Sequence, residues 1–186
     1  GRNHHAVGLG AVAEFATAAP GYTGRLSRRA ATLAEMLRPH GYNSVALGKW
    51  HLMPLREATA AGPFDAWPLQ RGFDRWYGFP SGFADQWHPE LFEDNHSVPI
   101  PSRPGYHLSE DLVDRAIANL RDQQAASPGK PFFLYLAWYA PHVPLESPEP
   151  WFSKTSSDLP KERRQALAMI AAMDEGLGQL RAKLKA

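Results

Sequence analysis

The stretch Ala46-Leu47-Gly48-Lys49-Trp50-His51-Leu52 decides how the rest of the chain is read. Tyr42-Asn43-Ser44-Val45-Ala46-Leu47 reads as a buried strand, and it stops at a glycine that delivers a lysine and a histidine two residues apart. If extended geometry continues past Gly48, side chains alternate, so Lys49 and His51 share one side while Trp50 takes the other. A cation and a titratable cation aimed together suit a site that holds negative charge while a proton moves. A solvated strand end followed by a hydrogen-bonded loop histidine fits the same letters, and the pair alone does not choose between them.

Working upstream, Thr32-Leu33-Ala34-Glu35 has the Ser/Thr-x-x-Glu form of a capping box, and Leu33, Met36 and Leu37 recur at helical spacing. A short amphipathic helix ending at Pro39-His40-Gly41 therefore precedes the strand. Residues 1–24 are Gly/Ala-rich and weakly patterned, mostly loop. Their His4-His5 pair invites a metal reading, but adjacent residues rarely face one ion, so packing or hydrogen bonding is expected.

Downstream, residues 53–106 are rich in proline, glycine and aromatics without clear periodicity. Trp67, Phe73, Trp76, Tyr77, Phe79, Phe83, Trp87 and Phe92 argue for an ordered loop region over a pocket, where each aromatic either packs the loops or meets an aryl or sugar group. A second helix then starts at Ser109, with Glu110 and Asp111 in its first turn and Leu112, Val113, Ala116, Ile117 and Leu120 as its apolar face. Phe132-Phe133-Leu134-Tyr135-Leu136 follows as a continuous apolar strand of the kind buried on both faces of a parallel sheet. Helix, turn, buried strand thus occurs twice.

The second strand leads into Ala140-Pro141-His142-Val143-Pro144. Each proline fixes its own φ and restricts the residue before it, so His142 is held between two stiff points. Like Lys49 and His51 it lies just beyond the carboxyl end of a strand, where open α/β sheets place ligands, and the three side chains are expected to converge. After a Ser/Pro-rich loop, Pro160 opens a last helix with Leu167, Ile170, Met173, Leu177, Leu180 and Leu184 as its expected core-facing stripe.

Composition bounds the function. The 186 residues suit one domain with a sizeable core, and 44% hydrophobic against 21% charged residues is a globular balance. Net charge is +1 from 20 basic and 19 acidic residues, which disfavours nucleic acid or an anionic membrane as the main partner. No apolar run approaches the roughly 18 to 20 residues of a membrane span. With no cysteine, disulfides, thiolate metal sites and a cysteine nucleophile are excluded within this chain. The compartment stays open between periplasm and bacterial cytoplasm, and nothing in the sequence fixes an oligomeric state. Gly1 in place of Met, and a helical pattern running to Ala186 without a stop signal, lead us to expect a piece of something longer.

Gly48-Lys49-Trp50-His51-Leu52, Thr32-Leu33-Ala34-Glu35-Met36-Leu37 through Gly41-Tyr42, Arg71-Gly72-Phe73-Asp74 and Ala140-Pro141-His142-Val143-Pro144-Leu145 together resemble an arylsulfatase of the alkaline phosphatase-like superfamily, with the strongest match to bacterial arylsulfatases. The pieces occur in the family's order and cover most of the chain. The resemblance implies an α/β fold, part of a mostly parallel sheet sandwiched by helices, with residues 1–186 as the central part of a catalytic domain. It also implies hydrolysis of a small-molecule sulfate ester by a formylglycine, made from a Cys/Ser-x-Pro-x-Arg motif, beside a bound Ca²⁺. Three positions carry over: Lys49 and His51 from the Gly-Lys-Trp-His match, and His142 from the Ala-Pro-His-x-Pro match. Lys49 and His142 are then sulfate contacts, and a histidine protonates the departing alcohol or phenol. His51 binds sulfate or orients the nucleophile.

The chain departs from the pattern. It has no Cys and no Ser-x-Pro-x-Arg, a motif the family carries just upstream of Gly1-Arg2, so the nucleophile is expected before Gly1 and the calcium ligands outside the chain. Asp94-Asn95 has the letters of a calcium pair but is followed by His96, and calcium binding is not transferred to it. A phosphonate or phosphodiester hydrolase of the same superfamily, a non-catalytic anion- or carbohydrate-binding module, and a zinc site among His4, His5, His51 or His88 are the competing readings.

Overall fold

A computed structural model describes residues 1–185. The chain forms two compact units. The first comprises residues 1–82, 90–99 and 130–137; the second comprises residues 83–89, 100–129 and 138–186.

The first unit holds a five-stranded sheet in the order β4-β3-β2-β1-β5. Its strands are β1 (Asn43–Lys49), β2 (Arg75–Phe79), β3 (Leu91–Glu93), β4 (His96–Val98) and β5 (Phe132–Ala137). β1 pairs in parallel with both β2 and β5, while β3 and β4 add as an antiparallel hairpin. The sheet is therefore mixed, with its parallel part centred on the strand that carries Lys49. β5 is an edge strand, and its residues are half-exposed or exposed instead of buried on both faces as its apolar run predicts. β2 was hidden in the irregular 53–106 region.

The helix before β1 is α1 (Leu33–Leu37), and its capping box is formed on both sides. Thr32 Oγ1 accepts from the Glu35 amide at 3.0 Å, and Glu35 Oε2 accepts from the Thr32 amide at 2.7 Å. Leu33 and Met36 are exposed, so this helix buries Ala34 and not the expected apolar face. Glu35 also receives Arg71, whose guanidinium is 1% exposed and donates to the carbonyls of Leu26 at 2.7 Å and Ala30 at 2.9 Å. Three residues on, Asp74 accepts from the Ser44 amide at 2.9 Å and so fixes the start of β1. The Arg71-Gly72-Phe73-Asp74 turn thus ties three segments together with charge-assisted bonds.

The aromatics of the loop region mostly build core. Trp50, Trp67, Phe73, Trp76 and Phe92 pack in one cluster with Ala34, Ala46 and Met53. Each buried indole also needs a partner for its N–H. Trp50 donates to the Ala66 carbonyl at 2.8 Å, Trp67 to that of Glu57 at 2.9 Å, and Trp76 to that of Gly48 at 3.2 Å.

The second unit contains α2 (Leu108–Ala126), α3 (Glu149–Phe152) and α4 (Lys161–Lys185). The N-cap of α2 is His107, not Ser109, whose hydroxyl donates to Gln86 Oε1 at 3.1 Å. Leu112, Val113, Ala116 and Leu120 are buried as the periodicity predicts. On α4 the buried residues are Ala168, Met169, Gly176 and Leu180, while Leu167, Ile170, Leu177 and Leu184 are exposed. Gly176 lies against Val113, so α4 meets α2 at a glycine outside the expected stripe. Among the described residues no helix is long and apolar enough to cross a membrane.

Candidate active site

Lys49 and His51 do come together, but not by simple alternation. Gly48 has φ 95° and His51 φ 50°, so the backbone turns twice within four residues. The ladder nevertheless continues beyond β1: the Trp50 amide donates to the Phe79 carbonyl and the His51 amide to the Pro80 carbonyl, both at 3.1 Å. Trp50 goes into the core, and Lys49 Nζ donates to the Gly82 carbonyl at 2.7 Å. His51 reaches the same residue. A Cβ built on Gly82 would lie 2.7 Å from His51 Cε1 and 2.8 Å from Nε2, and would also strike the Glu14 carboxylate. Glycine at 82 leaves room for the Glu14 and His51 side chains.

Glu14 is the residue that sequence reasoning missed. Its Oε2 lies 2.8 Å from His51 Nε2 across 37 positions of sequence. An ionised carboxylate only accepts, so the His51 proton sits on Nε2. Burial disfavours the charged form of Lys49 and the Glu14 carboxylate favours it; burial wins, and the ammonium is held below its ordinary range. A positive charge in partly dry surroundings interacts with an anion more strongly than it would in water.

His142 belongs to the second unit. Its Nδ1 lies 2.7 Å from the Val143 carbonyl, an acceptor, so Nδ1 carries the proton and Nε2 is the other ring nitrogen. The Tyr139 hydroxyl donates to that same carbonyl and its ring stacks on the imidazole at 4.9 Å. Phe83 meets the imidazole edge-on at 5.3 Å. The peptide bonds before Pro141 and Pro144 are both cis. Burial pushes the Tyr139 phenol up, with the Ala84 backbone bond opposing and Glu146 adding to the rise.

Other candidates are spent on structure. His4 and His5 stack on each other at 4.2 Å, and His5 packs edge-on to Tyr22. His88 faces Asp85 at 3.6 Å. Asp94 turns the β3–β4 hairpin with φ 55°, accepts from the Trp76 amide at 2.9 Å and pairs with Arg75 at 3.0 Å, so its carboxylate does not fit a calcium site. Among the described residues no three His, Cys, Asp or Glu side chains gather to hold a metal ion.

The Sulfatase family model matches residues 1–186. The chain belongs to the sulfatase family. Its relatives include the uncharacterized sulfatase YdeN of Escherichia coli (strain K12), 32% identical over 170 residues, covering 82% of this chain and 29% of that protein. The arylsulfatase of Klebsiella aerogenes is 30% identical over 146 residues, covering 72% of this chain and 29% of that one. Among solved structures, Ps i-CgsB in complex with k-i-k-neocarrahexaose superimposes with a TM-score of 0.69 at 26% identity, covering 82% of this chain and 36% of that one. These neighbours place this sulfatase chain in the alkaline phosphatase-like fold. The chain spans roughly 30% of the length of the curated relatives it matches.

Proposed function

We propose that residues 1–186 are the central, sulfate-holding part of the catalytic domain of a sulfuric ester hydrolase. The reaction is R–O–SO₃⁻ plus water to R–OH, sulfate and a proton. The observation that carries this reading is the turn of Lys49 and His51 onto Gly82 at the end of β1, in a chain of the sulfatase family.

Sulfuryl transfer, like phosphoryl transfer, spreads charge over the peripheral and leaving oxygens, so positioning and electrostatic stabilisation do most of the work. Lys49 supplies fixed positive charge to the sulfate oxygens. His51, whose Nε2 proton is held on Glu14, binds sulfate or orients the nucleophile. His142, with Nδ1 committed to the Val143 carbonyl, acts through Nε2 on the leaving oxygen as proton donor or sulfate contact. The family implies a formylglycine nucleophile and Ca²⁺. Among the described residues none fits either, and we assign both to sequence outside this stretch.

The test is turnover of 4-nitrophenyl sulfate and a panel of sulfated sugars by the full-length protein, beside the matching phosphate and phosphonate esters. Wild type is expected to prefer the sulfate esters, with Lys49→Met and His142→Ala each at least tenfold slower. The 186-residue chain alone is expected to be inactive. A phosphonate preference, or unchanged turnover in both variants, would refute the proposal.

A further inference from the structure

Tyr139 and His142 are the two ends of a four-residue turn, closed where the His142 amide donates to the Tyr139 carbonyl at 3.0 Å. The turn brings their rings together, yet Tyr139 is buried and His142 is exposed. An exposed side chain ordinarily changes rotamer within nanoseconds. Here the exposed ring rests on a buried one, stacked at 4.9 Å with 29° between the planes.

The Tyr139 hydroxyl adds a directional constraint. Its proton goes to the Val143 carbonyl, so towards His142 Nδ1, 3.1 Å away, it can only accept. The Nδ1 proton therefore faces two acceptor oxygens, that of Tyr139 and that of Val143 at 2.7 Å. Turning the imidazole over would put a carbon where Nδ1 stands and lose both contacts. Burial pushes the Tyr139 phenol up, so the hydroxyl keeps its proton, and this arrangement with it, at neutral pH. The loop after His142 has anchors of its own: the Glu146 carbonyl lies 3.3 Å from His107 Nε2, and the Glu146 carboxylate accepts from the Gln86 amide at 2.7 Å. The Tyr139 side chain is thus placed to set the angle of the ring more than the course of the chain.

We infer that Tyr139 is a positioning residue for His142: its ring and its hydroxyl together hold the imidazole with Nδ1 committed and Nε2 left to act on the leaving oxygen. This rests on the reading of His142 as the group that protonates that oxygen. Proton donation needs Nε2 within hydrogen-bond reach and in line. A tilted ring therefore costs most where the leaving group most needs the proton.

The experiment compares full-length wild type with Tyr139→Phe, Tyr139→Leu and His142→Ala on 4-nitrophenyl sulfate, whose phenolate leaves readily, and phenyl sulfate, whose phenolate needs a proton. His142→Ala is expected to lose more on phenyl sulfate than on 4-nitrophenyl sulfate. Tyr139→Phe keeps the stacked ring and removes the hydroxyl; it should lower kcat on phenyl sulfate about two- to tenfold, with a smaller loss on 4-nitrophenyl sulfate and KM within about twofold on both. Tyr139→Leu removes both contacts and should lose more, with the same preference. A second readout needs no turnover: long-range proton–nitrogen NMR of the histidine-labelled protein should show neutral His142 as the Nδ1–H tautomer in wild type, and a smaller share of it in Tyr139→Leu. Equal losses on the two esters in the Tyr139 variants, while His142→Ala discriminates between them, would mean a structural role alone and overturn the assignment. So would a tautomer that does not change. If His142→Ala does not discriminate, or wild type hydrolyses neither ester, the proposed role of His142 fails, and the tautomer still decides for or against Tyr139 as the holder of the ring.

Discussion

The charge on Lys49 gives the most direct test of the site, because pH removes it without changing a side chain. Burial holds the Lys49 ammonium below the ordinary lysine value of 10.5, and the neighbouring Glu14 carboxylate only partly restores it. On the proposed role, Lys49 is charged and holds the sulfate below its own pKa; as pH rises through that value the charge and the grip are lost together. The kcat/KM of the full-length protein for a sulfate ester should therefore fall on the alkaline side at a pH below 10.5. Two substitutions move the limb in opposite directions. Glu14→Gln removes the carboxylate that favours the charged form, so the limb shifts to lower pH. Lys49→Arg keeps a group that stays protonated above about pH 12, so the limb disappears even if the plateau drops. The plateau itself reports the worth of the contact: hydrogen bonds to a charged group contribute about 1.5 to 3 kcal/mol, so Lys49→Met should cost roughly ten- to 150-fold in kcat/KM. Steady-state rates from pH 6 to 10.5 on the three variants suffice. An alkaline limb that persists in Lys49→Arg, or that rises in Glu14→Gln, would refute the assignment of Lys49.

Three substitutions test the stability of the fold. Arg71→Met leaves the Glu35 carboxylate and the Leu26 and Ala30 carbonyls without their buried donor, and should cost about 3 to 5 kcal/mol in urea unfolding of the chain. Burial raises the Glu35 pKa, but the Arg71 and Thr32 bonds outweigh it and the net shift is downward. That stabilisation is complete above 4.5 and is lost as pH falls through the lower folded value, so the gap between wild type and Arg71→Met should narrow there. A cost below about 1 kcal/mol at neutral pH would show that Arg71 is not holding the turn. Gly78→Ala should destabilise by about 1 to 3 kcal/mol, since its Cβ would lie 2.6 Å from the Gly48 carbonyl carbon, a backbone atom that cannot step aside. Gly178→Ala, in open space on α4, should instead stabilise by up to about 1 kcal/mol, and a thermal melt that ranked the two the other way would refute this.

What the sequence made legible was local. The capping box of α1, the strand leading to Lys49 and the proline-flanked His142 each depend on residues within a few positions of one another, and each is present. β2 was not legible because Arg75-Trp76-Tyr77-Gly78-Phe79 carries a glycine that reads as a loop residue. In the sheet Gly78 stands opposite Gly48, where the parallel strands approach too closely for a side chain. The face of α4 misled for a related reason: periodicity weighs large leucines, whereas Gly176 is what lets that helix meet Val113 of α2. Glu14 had no local signal at all, since its significance lies in a side chain 37 positions away.

Glu14 also bears on why His51 is aimed as it is. A non-glycine residue at φ 50° is disfavoured, at a cost on the order of 1 to 2 kcal/mol, and histidine tolerates it better than most. Two interactions offset that cost: the His51 amide stays on the Pro80 carbonyl, and its Nε2 stays on Glu14. A chain under no demand at this point could have kept extended geometry after Gly48. It would then have carried the histidine on the simple alternation that the sequence implied. Instead the backbone turns at residue 48, places Lys49, sends Trp50 to the core and turns again at residue 51. The second turn delivers the imidazole to the glycine that holds the lysine. Backbone strain at a candidate site is informative when something specific holds it in place, and here the holder is an acidic side chain from a 3₁₀ turn distant in sequence. The convergence of Lys49 and His51 is therefore a built feature of this unit and not a by-product of strand periodicity.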